Sequence, residues 1–395
     1  MCGGRTVPPR DRRRPAGAGG RGVPVSALSS MAAASPAVPS ATEGGIGGPA
    51  TGGADSSATG GADAALFGWA RELVTPALRR VVADLPGPQR EIARYHRGWG
   101  AGAESTAGGG GKAVRPALVF LSAMAVGAPP ESVVPGAVAV ELVHDFSLLH
   151  DDVIDADPLR RHRPAVWRQY GTPAAVLTGD ALLISALAVL AADATPHAAA
   201  ATRELSGMLE DLLRGQSQDV AFESTARVRA EEYLEMAAGK TGALMGCACA
   251  LGALLAGASE ARTAGLRDFG RHLGVAFQCV DDLLGIWGST RRSGKPVGAD
   301  VAARKKSLPV TVALADTGPA GRRLAALYDR TEPLSAADVA TATELIEQAG
   351  GREATEVEAR RQVGAAMRAL ARAEPVPSVY RQLHDLALLM TRRDH

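Results

Sequence analysis

Hydrophobic residues recur at three- and four-residue steps along most of the chain from residue 64 onward, a spacing that predicts amphipathic α-helices. In the first such segment Leu66, Trp69 and Leu73 fall on one face, and Pro86 ends the segment. Short connections containing Gly or Pro separate the later segments, as in helical bundles, and no alternating run predicts a strand. We therefore expect an all-α fold, a single large helical bundle around a central cavity. Further helices are predicted over residues 89–99, 115–126, 133–155, 173–192, 198–223, 230–256, 261–286, 309–315, 321–328, 336–348, 354–372 and 379–391.

Residues 1–62 lack this periodicity. Gly, Ala, Pro, Ser and Thr dominate them, so they cannot bury enough apolar surface to offset the entropy lost on ordering. We expect a disordered tail over 1–62 and one helical domain over 63–395. The tail is either a plain extension, with Met31 as an alternative start, or an arm that docks a protein partner or a compartment shell.

Composition and charge argue against several partners. The formal net charge of +1 gives no reason to expect nucleic acid. The four cysteines show no zinc-binding spacing, which predicts reduced thiols and a cytoplasmic protein. We expect no membrane span, because the best candidate, residues 173–190, carries Gly179 and Asp180 in its middle.

Three carboxylates close an apolar helical segment. Asp151, Asp152 and Asp155 recur at helical steps, and Asp151 and Asp155 are one turn apart. Like charges so close repel each other unless a cation lies between them. Oxygen ligands with room for water and phosphate suit Mg²⁺. The alternative is a solvated acidic helix end, which the strongly apolar flanking residues disfavour.

A second acidic pair, Asp281 and Asp282, interrupts another apolar helical segment. Unpaired acids in a core helix are costly, so the two acidic segments are expected to face each other across a cavity and share metal ions. Lys240 lies inside an apolar stretch, where a lysine either extends its charge to solvent or is matched to an anion. Lys112 and Arg115 lie where a Gly-rich loop enters a helix, which is either an anion site or an ordinary loop with two exposed bases. Carboxylates for a metal and bases for an anion in one bundle indicate a diphosphate substrate.

These segments, in this order, resemble the trans-isoprenyl diphosphate synthases (polyprenyl synthetases) from about residue 66 to the C-terminus. The residues Asp151 to Asp155 resemble the first aspartate-rich motif of that family, and Asp281 with Asp282 resembles the second. One such motif alone is a weak signal, whereas the ordered set is specific. The other matching residues are Gly111, Lys112, Arg115, Pro116, His144, Arg160, Arg161, Lys240, Thr241, Phe277, Gln278, Gly294, Lys295, Pro296, Lys305, Leu308 and Pro309.

The resemblance implies the isoprenoid synthase fold, a homodimer, and an Mg²⁺-dependent prenyltransferase that joins isopentenyl diphosphate to an allylic diphosphate. The implied metal ligands are Asp151, Asp152, Asp155, Asp281 and Asp282. The allylic diphosphate would be neutralised by Arg160, Lys240 and Lys295, and isopentenyl diphosphate would be bound by Lys112, Arg115, His144 and Arg161. Thr241, Gln278 and Lys305 complete the expected substrate-binding residues. Those expected to act in catalysis are Asp151, Asp152, Lys240, Asp281 and Asp282.

Product length is expected to depend on a blocking side chain below the first motif. Phe146 and Ser147 lie five and four residues before Asp151, and an aromatic ring there would stop the growing chain. The resemblance at these positions favours geranylgeranyl diphosphate as the product, with farnesyl diphosphate as the alternative. Phe146 could instead be an ordinary core residue.

Two positions depart from the family pattern. Gly285 stands where the second motif usually ends in a third aspartate, and His162 stands where a glycine usually follows the arginine pair. Gly285 gives weight to a different hypothesis, a non-catalytic subunit that tunes another synthase. A class I terpene cyclase would share the fold and the first motif, but it would not need the Lys112, Arg115 and His144 set. An active synthase explains both acidic segments and the bases, so we favour it.

Overall fold

The computed structural model describes residues 57–99, 113–288 and 297–391. The predicted tail therefore lies almost wholly outside the described residues, as do Lys112 and Lys295. The first helix begins at Ser57, before the predicted domain start at residue 63.

The described residues form an all-α fold, as predicted, with one hairpin of two-residue strands. The strands are β1 (Leu159–Arg160) and β2 (Arg163–Pro164), which pair antiparallel. The helices are α1 (Ser57–Asp84), α2 (Gly87–Arg97), α3 (Val114–Ala125), α4 (Val134–Ile154), α5 (Val166–Tyr170), α6 (Thr172–Ala191), α7 (Ala198–Ser224), α8 (Ala230–Ala237), α9 (Ala243–Leu255), α10 (Glu260–Trp287), α11 (Ala299–Ala302), α12 (Leu308–Ala315), α13 (Pro319–Tyr328), α14 (Ala336–Gln348), α15 (Gly351–Arg372) and α16 (Pro377–Thr391). A 3₁₀ turn (Pro130–Val133) precedes α4, and a π-helical turn (Ala238–Gly242) joins α8 to α9.

Local signals fixed several helix ends. The bounds of α14 match the prediction, because the side chains of Ser335 and Asp338 cap each other's backbone N–H groups at its start. The helix α2 ends two residues earlier than predicted, since Gly98 adopts a left-handed φ of 73° that stops it.

The prediction of one unbroken helix over 230–256 was wrong, because a π turn interrupts it. A Cβ atom on Gly215 of α7 would lie 2.3 Å from the backbone nitrogen of Lys240. The glycines Gly215 and Gly239 thus let α7 and the π turn approach backbone to backbone. This close contact between the two helices determines the backbone positions of Lys240 and Thr241.

The centre of the bundle is formed by α3, α4, α9 and α10. The helix α10 packs against α9 and α15, α4 packs against α6, and α3 packs against α9. Leu118, Leu142, Leu149, Leu205 and Phe269 are fully buried in the resulting core. Because α4 and α10 carry acidic residues into this core, those residues need partners or a function.

The expectation that no stretch qualifies as a membrane span was wrong on length and composition. Three helical stretches are long and apolar enough: Pro130–Ile154, Thr172–Ala191 and Ala230–Leu255. The single acid Asp180 does not offset the apolar residues of α6, whose mean hydropathy is 2.1. The apolar windows of the first and third stretches are 61% and 72% buried inside the bundle, so helix packing accounts for much of their apolar surface.

Candidate active site

The first aspartate-rich motif occupies the last turn of α4. Asp152 is 1% exposed, and its Oδ1 accepts a hydrogen bond from Arg160 Nε at 2.9 Å. Its Oδ2 is buried and has no hydrogen-bond partner among the described residues. Burial raises the pKa of Asp151 to about 6; Lys240 opposes this shift and Asp155 adds to it. The turn therefore holds negative charge that the surrounding side chains do not fully compensate.

The β1–β2 hairpin turns the arginine pair back toward α4. Arg161 and His162 have φ values of 52° and 62°, as the two central residues of a tight hairpin require. A glycine would adopt this conformation without strain, whereas His162 has to tolerate roughly 1 kcal/mol of it. The family departure at position 162 is thus accommodated by the backbone.

The second motif forms a buried hydrogen-bond network on α10. Asp282 is 1% exposed; its Oδ2 accepts hydrogen bonds from Tyr233 Oη at 2.5 Å and Leu308 N at 3.0 Å. Its Oδ1 accepts one from Gln278 Nε2 at 3.1 Å, and Gln278 Oε1 accepts one from Thr241 Oγ1 at 2.8 Å. Three donors therefore fix the Asp282 carboxylate and join it to the π turn.

Two lysines link the acidic walls. Lys240 Nζ donates a hydrogen bond to Asp219 Oδ2 at 2.6 Å. Burial alone would lower the pKa of Lys305, but surrounding carboxylates outweigh it and raise that pKa to about 12. These carboxylates are Asp300, Asp282, Asp219 and Asp155. Since Asp155 belongs to the first motif and Asp282 to the second, the two motifs face a common centre, as the sequence indicated.

A basic cluster of Arg115, His144 and Arg161 lies near His144, which precedes Asp151 by two turns on the same face of α4. Burial lowers the pKa of Arg115, while Glu141, Asp281 and Asp145 oppose the shift. The Arg115 Nε atom is buried and has no hydrogen-bond partner among the described residues. Burial, and then the charge of Arg115, lower the pKa of His144 well below its usual value. This cluster has a buried donor ready for an anion, and His144 is neutral at pH 7.

An ion-pair network lies beneath that cluster. Arg97 and Asp145 are 6% and 3% exposed and form a close salt bridge, and Arg97 Nη2 lies 3.1 Å from Glu141 Oε2. His96 Nε2 lies 3.6 Å from the second oxygen of Asp145. Burial lowers the pKa of Arg161, and Asp145 is the largest opposing influence. The network thus supplies negative charge below the bases of the cluster.

The proposed chain-length residues lie on α4, and Phe146 faces α6. Phe146 is 4% exposed, and its ring packs edge to face on His150 with centroids 4.6 Å apart. Ser147 Oγ donates a hydrogen bond to His144 O at 2.9 Å. A Cβ atom on Gly179 would lie 3.5 Å from Phe146 and 2.4 Å from His150, so this glycine of α6 makes room for both rings.

Sequence reasoning missed Asp219, Tyr233, Arg97 and Asp145. Asp219 lies on a helix with many exposed charges, so its spacing carries no special signal. Arg97 and Asp145 are 48 residues apart, and only the fold brings them together. An arginine directly after a histidine on the apolar side of α2 was the only available hint.

The donor set fits a divalent hard cation. No three His, Cys, Asp or Glu side chains of the described residues are already arranged as a metal site. Mg²⁺ usually takes one or two protein carboxylates together with substrate phosphates and water, so a complete protein cage is not required. The unpartnered Oδ2 of Asp152 is a buried oxygen that such a cation would satisfy.

An all-α bundle with two facing acidic turns and a separate basic cluster defines a class of helical enzymes that act on diphosphates. The polyprenyl synthetase family model matches residues 101–346, and the chain belongs to this family. The chain is 48% identical over 326 residues to a (2E,6E)-farnesyl diphosphate synthase of Mycobacterium tuberculosis (strain ATCC 25618 / H37Rv), which covers 82% of this chain and 91% of the relative.

Two further comparisons agree. A geranylgeranyl diphosphate synthase of the same strain is 45% identical over 327 residues, covering 82% of this chain and 92% of the relative. The crystal structure of a polyprenyl synthetase from Streptomyces coelicolor A3(2) matches with a TM-score of 0.79 at 47% identity, over 82% of this chain and 98% of that chain. The chain is therefore a trans-prenyltransferase of the short-chain type. Prenyl diphosphate synthases take isopentenyl and allylic diphosphates and are in general dependent on divalent metals.

Proposed function

We propose that the protein is an Mg²⁺-dependent geranylgeranyl diphosphate synthase. It condenses isopentenyl diphosphate with an allylic diphosphate, head to tail and trans, and releases diphosphate. The observation that carries this proposal is that one bundle holds both a cluster of carboxylates suited to metal ions and a cluster of bases suited to an anion. The carboxylates surround Lys305, and the bases are Arg115, His144 and Arg161.

Each site has a distinct part in the reaction. Bound Mg²⁺ would withdraw charge from the leaving diphosphate, so that the allylic C–O bond ionises. Arg160 and Lys240 would neutralise the same diphosphate, and Lys240 is already positioned by Asp219. Arg115 and His144 would hold isopentenyl diphosphate so that its double bond attacks the allylic cation, after which a proton leaves. The apolar wall with Phe146 would exclude water that could quench the cation.

The carboxylates would have two different roles, metal binding and positioning. Asp151, Asp152 through its Oδ2, and Asp155 would hold metal on α4, and Asp281 would hold it on α10. Asp282 already accepts three hydrogen bonds, so we assign it a positioning role toward Tyr233 and Gln278.

The C20 product rests on Phe146, with the small Ser147 beside it. Farnesyl diphosphate is the second candidate, favoured by the slightly higher identity to the farnesyl synthase, 48% against 45%. Replacing Phe146 by Ala would lengthen the product if its ring limits the chain. Unchanged product length in F146A would place the limit elsewhere.

The decisive experiment incubates the purified full chain with isopentenyl diphosphate and dimethylallyl, geranyl or farnesyl diphosphate, with and without Mg²⁺. Products are dephosphorylated and sized by chromatography. A linear C20 alcohol that depends on Mg²⁺ is expected, and a C15 alcohol would support the second candidate. Cyclic hydrocarbon from one allylic substrate would show a cyclase, and no turnover would favour the non-catalytic subunit. The D281N variant serves as an inactive control.

We also propose that two copies of the chain form a homodimer through α6. Leu177 and Ile184 on this helix are 56% and 66% exposed and lie two turns apart on one face. The apolar window of α6 is only 33% buried, and a large uncovered apolar face is typical of an interface. Light scattering should give the mass of a dimer for the full chain and of a monomer for I184E. A monomeric wild-type chain would contradict the proposal.

A cytoplasmic location remains our proposal as well. Cys247, Cys249 and Cys279 are buried and unpaired, which suits a reducing compartment. Fractionation of cells followed by immunoblotting would test it, and recovery outside the cytoplasmic fraction would contradict it.

A further inference from the structure

The β1–β2 hairpin is attached to the C-terminal end of α2. Arg163 Nη1 and Nη2 donate hydrogen bonds to the backbone oxygens of Tyr95 and His96, at 2.9 and 3.1 Å. In the opposite direction, Tyr95 Oη donates a hydrogen bond to the backbone oxygen of Pro164 at 2.8 Å. We call these three hydrogen bonds the α2 clasp. They join residues that lie 67 to 69 positions apart in the sequence, so only the fold brings them together.

The end of α2 is suited to receive a guanidinium group. The last carbonyl groups of a helix have no partner further along the helix, and they form the negative end of its dipole. The planar fork of Arg163 contacts two of these groups in succession, and its Cζ atom lies 5.0 Å from the centroid of the Tyr95 ring. Arg163 is therefore held by the geometry of its fork as well as by its charge.

The residues of α2 that form the clasp are themselves fixed to α4. Tyr95, His96 and Arg97 are consecutive and end this helix. Arg97 forms a buried salt bridge with Asp145 of α4, and His96 Nε2 lies 3.6 Å from the second oxygen of the same carboxylate. The clasp thus ties the hairpin to a segment of α2 whose position relative to α4 is set by the ion-pair network.

The two neighbouring arginines of the hairpin differ in what holds them. Arg160 Nε donates a hydrogen bond to Asp152 Oδ1 at 2.9 Å, so this side chain has its own anchor on α4. Arg161 has a left-handed φ of 52°, and its side chain has no hydrogen-bond partner among the described residues. Burial lowers the pKa of Arg161 and Asp145 opposes the shift, so its guanidinium lies near the ion-pair network. The position of Arg161 therefore depends on how the hairpin backbone is held.

We propose that Arg163 is a positioning residue for the prenyl transfer. Through the α2 clasp it holds the hairpin so that Arg161 stays in the basic cluster that binds isopentenyl diphosphate. This inference rests on the proposed function, which assigns that cluster to isopentenyl diphosphate. Loss of the clasp should weaken the binding of this substrate and spare the allylic one, because Arg160 keeps its own anchor on α4.

The test measures the two substrates separately. Isopentenyl diphosphate is titrated by isothermal titration calorimetry into the full chain without Mg²⁺, and the KM values of both substrates are measured with Mg²⁺. The R163M variant should bind isopentenyl diphosphate about 10-fold more weakly, a change that corresponds to one hydrogen bond from a charged donor. The KM for isopentenyl diphosphate should rise by the same factor. The KM for geranyl diphosphate and the kcat should stay within about twofold of the wild-type values.

Two matched variants separate positioning from charge. R168M removes an arginine of the neighbouring α5 that lies over the Trp167 ring and takes no part in the clasp, so it should bind isopentenyl diphosphate like the wild type. R163K keeps the positive charge but loses the fork, and it should bind isopentenyl diphosphate roughly threefold more weakly. Wild-type-like binding by R163K together with an R163M-like loss in R168M would show an effect of charge alone and would overturn the proposal.

The tyrosine of the clasp provides an independent arm. Y95F deletes the hydroxyl group that bonds to Pro164 and leaves Arg163 with both of its carbonyl partners. It should raise the KM for isopentenyl diphosphate roughly two- to threefold in the wild type and by a smaller factor in R163M, because both side chains act through the same hairpin. Thermal melts verify that each variant is folded.

The outcomes separate the two proposals. Wild-type-like binding of isopentenyl diphosphate by folded R163M, or by both R163K and Y95F if R163M does not fold, would overturn the role of Arg163. An equal rise in the KM values of both substrates would overturn it as well, because it would show a general disturbance of the active site. The proposed function would stand in each of these cases. If the wild type binds no isopentenyl diphosphate and makes no product, the proposed function fails, and this inference fails with it.

Discussion

Replacing Asp145 by Asn should destabilise the protein more than most single substitutions. Asp145 is 3% exposed and forms a salt bridge with Arg97, which is 6% exposed. In D145N the guanidinium of Arg97 stays buried and keeps only Glu141, 3.1 Å away, as its charged partner. Removing one partner of a buried ion pair costs roughly 3–5 kcal/mol, and the remaining Glu141 places this case near the lower end, at about 3 kcal/mol.

The loss of unfolding free energy in D145N should be largest near neutral pH and should shrink in acid. Burial would raise the pKa of Asp145, but Arg97 outweighs burial and holds this pKa well below its usual range, with help from His96 and His144. In the unfolded chain the pKa of an aspartate is about 3.9. The stabilisation by Asp145 is therefore fully present above about pH 4–5 and is lost as the pH falls toward the folded-state pKa.

The assay is thermal and denaturant unfolding followed by circular dichroism at pH 7, 5 and 3.5. At pH 7 D145N should unfold roughly 6 °C below the wild type, taking about 2 °C per kcal/mol for a large domain. The difference in unfolding free energy should hold at pH 5 and shrink at pH 3.5. The D329N variant, at an exposed position, should change stability by no more than about 0.5 kcal/mol.

A double-mutant cycle tests the physical cause. R97M in the D145N background removes the stranded charge, so the double variant should be more stable than the sum of the two single losses predicts. A D145N loss below about 1 kcal/mol, or a loss equal at pH 3.5 and pH 7, would refute the reasoning.

Three further predictions use positions outside the metal site. H162G should raise stability by up to about 1 kcal/mol, because residue 162 has a left-handed φ of 62° that glycine adopts freely; an unchanged or lower melting temperature would contradict this. G215A should cost about 1–3 kcal/mol and also lower kcat, since its Cβ would lie 2.3 Å from the backbone nitrogen of Lys240, whereas G207A on the same helix, where a Cβ meets nothing within 4 Å, should leave kcat unchanged. The thiols of Cys247 and Cys249 should react with a thiol reagent only on unfolding, because burial raises the pKa of Cys249 to about 12 and that of Cys247 well above its usual value; rapid labelling of the folded chain would contradict this.

The sequence predicted most of the fold because helix signals are local. The apolar spacing identified α4, α7 and α10, and the capping residues Ser335 and Asp338 fixed the start of α14. The hairpin at residues 159–164 was not predicted, since strands of two residues leave no periodicity to detect. Both aspartate-rich motifs and Lys240 were identified because an ionisable residue in an apolar helix is conspicuous.

The contributions from distant segments were not predictable in the same way. Tyr233 reaches Asp282 across 49 residues, and Asp219 reaches Lys240 across 21 residues. Local spacing identifies an acid inside an apolar helix, whereas its hydrogen-bond partners become known only from the fold.

The π-helical turn Ala238–Gly242 has a consequence for how this segment can vary in length. A π turn holds one residue more than an α-helical path of the same span, so deleting one residue there would return the segment to a regular helix. The deletion would rotate α8 by about 100° relative to α9. Tyr233 would then turn away from Asp282, although no residue of the acidic motifs had changed. The extra residue is thus what keeps α8 and α9 in register with both walls, so we expect a one-residue deletion here to lower activity more than a substitution of an exposed side chain.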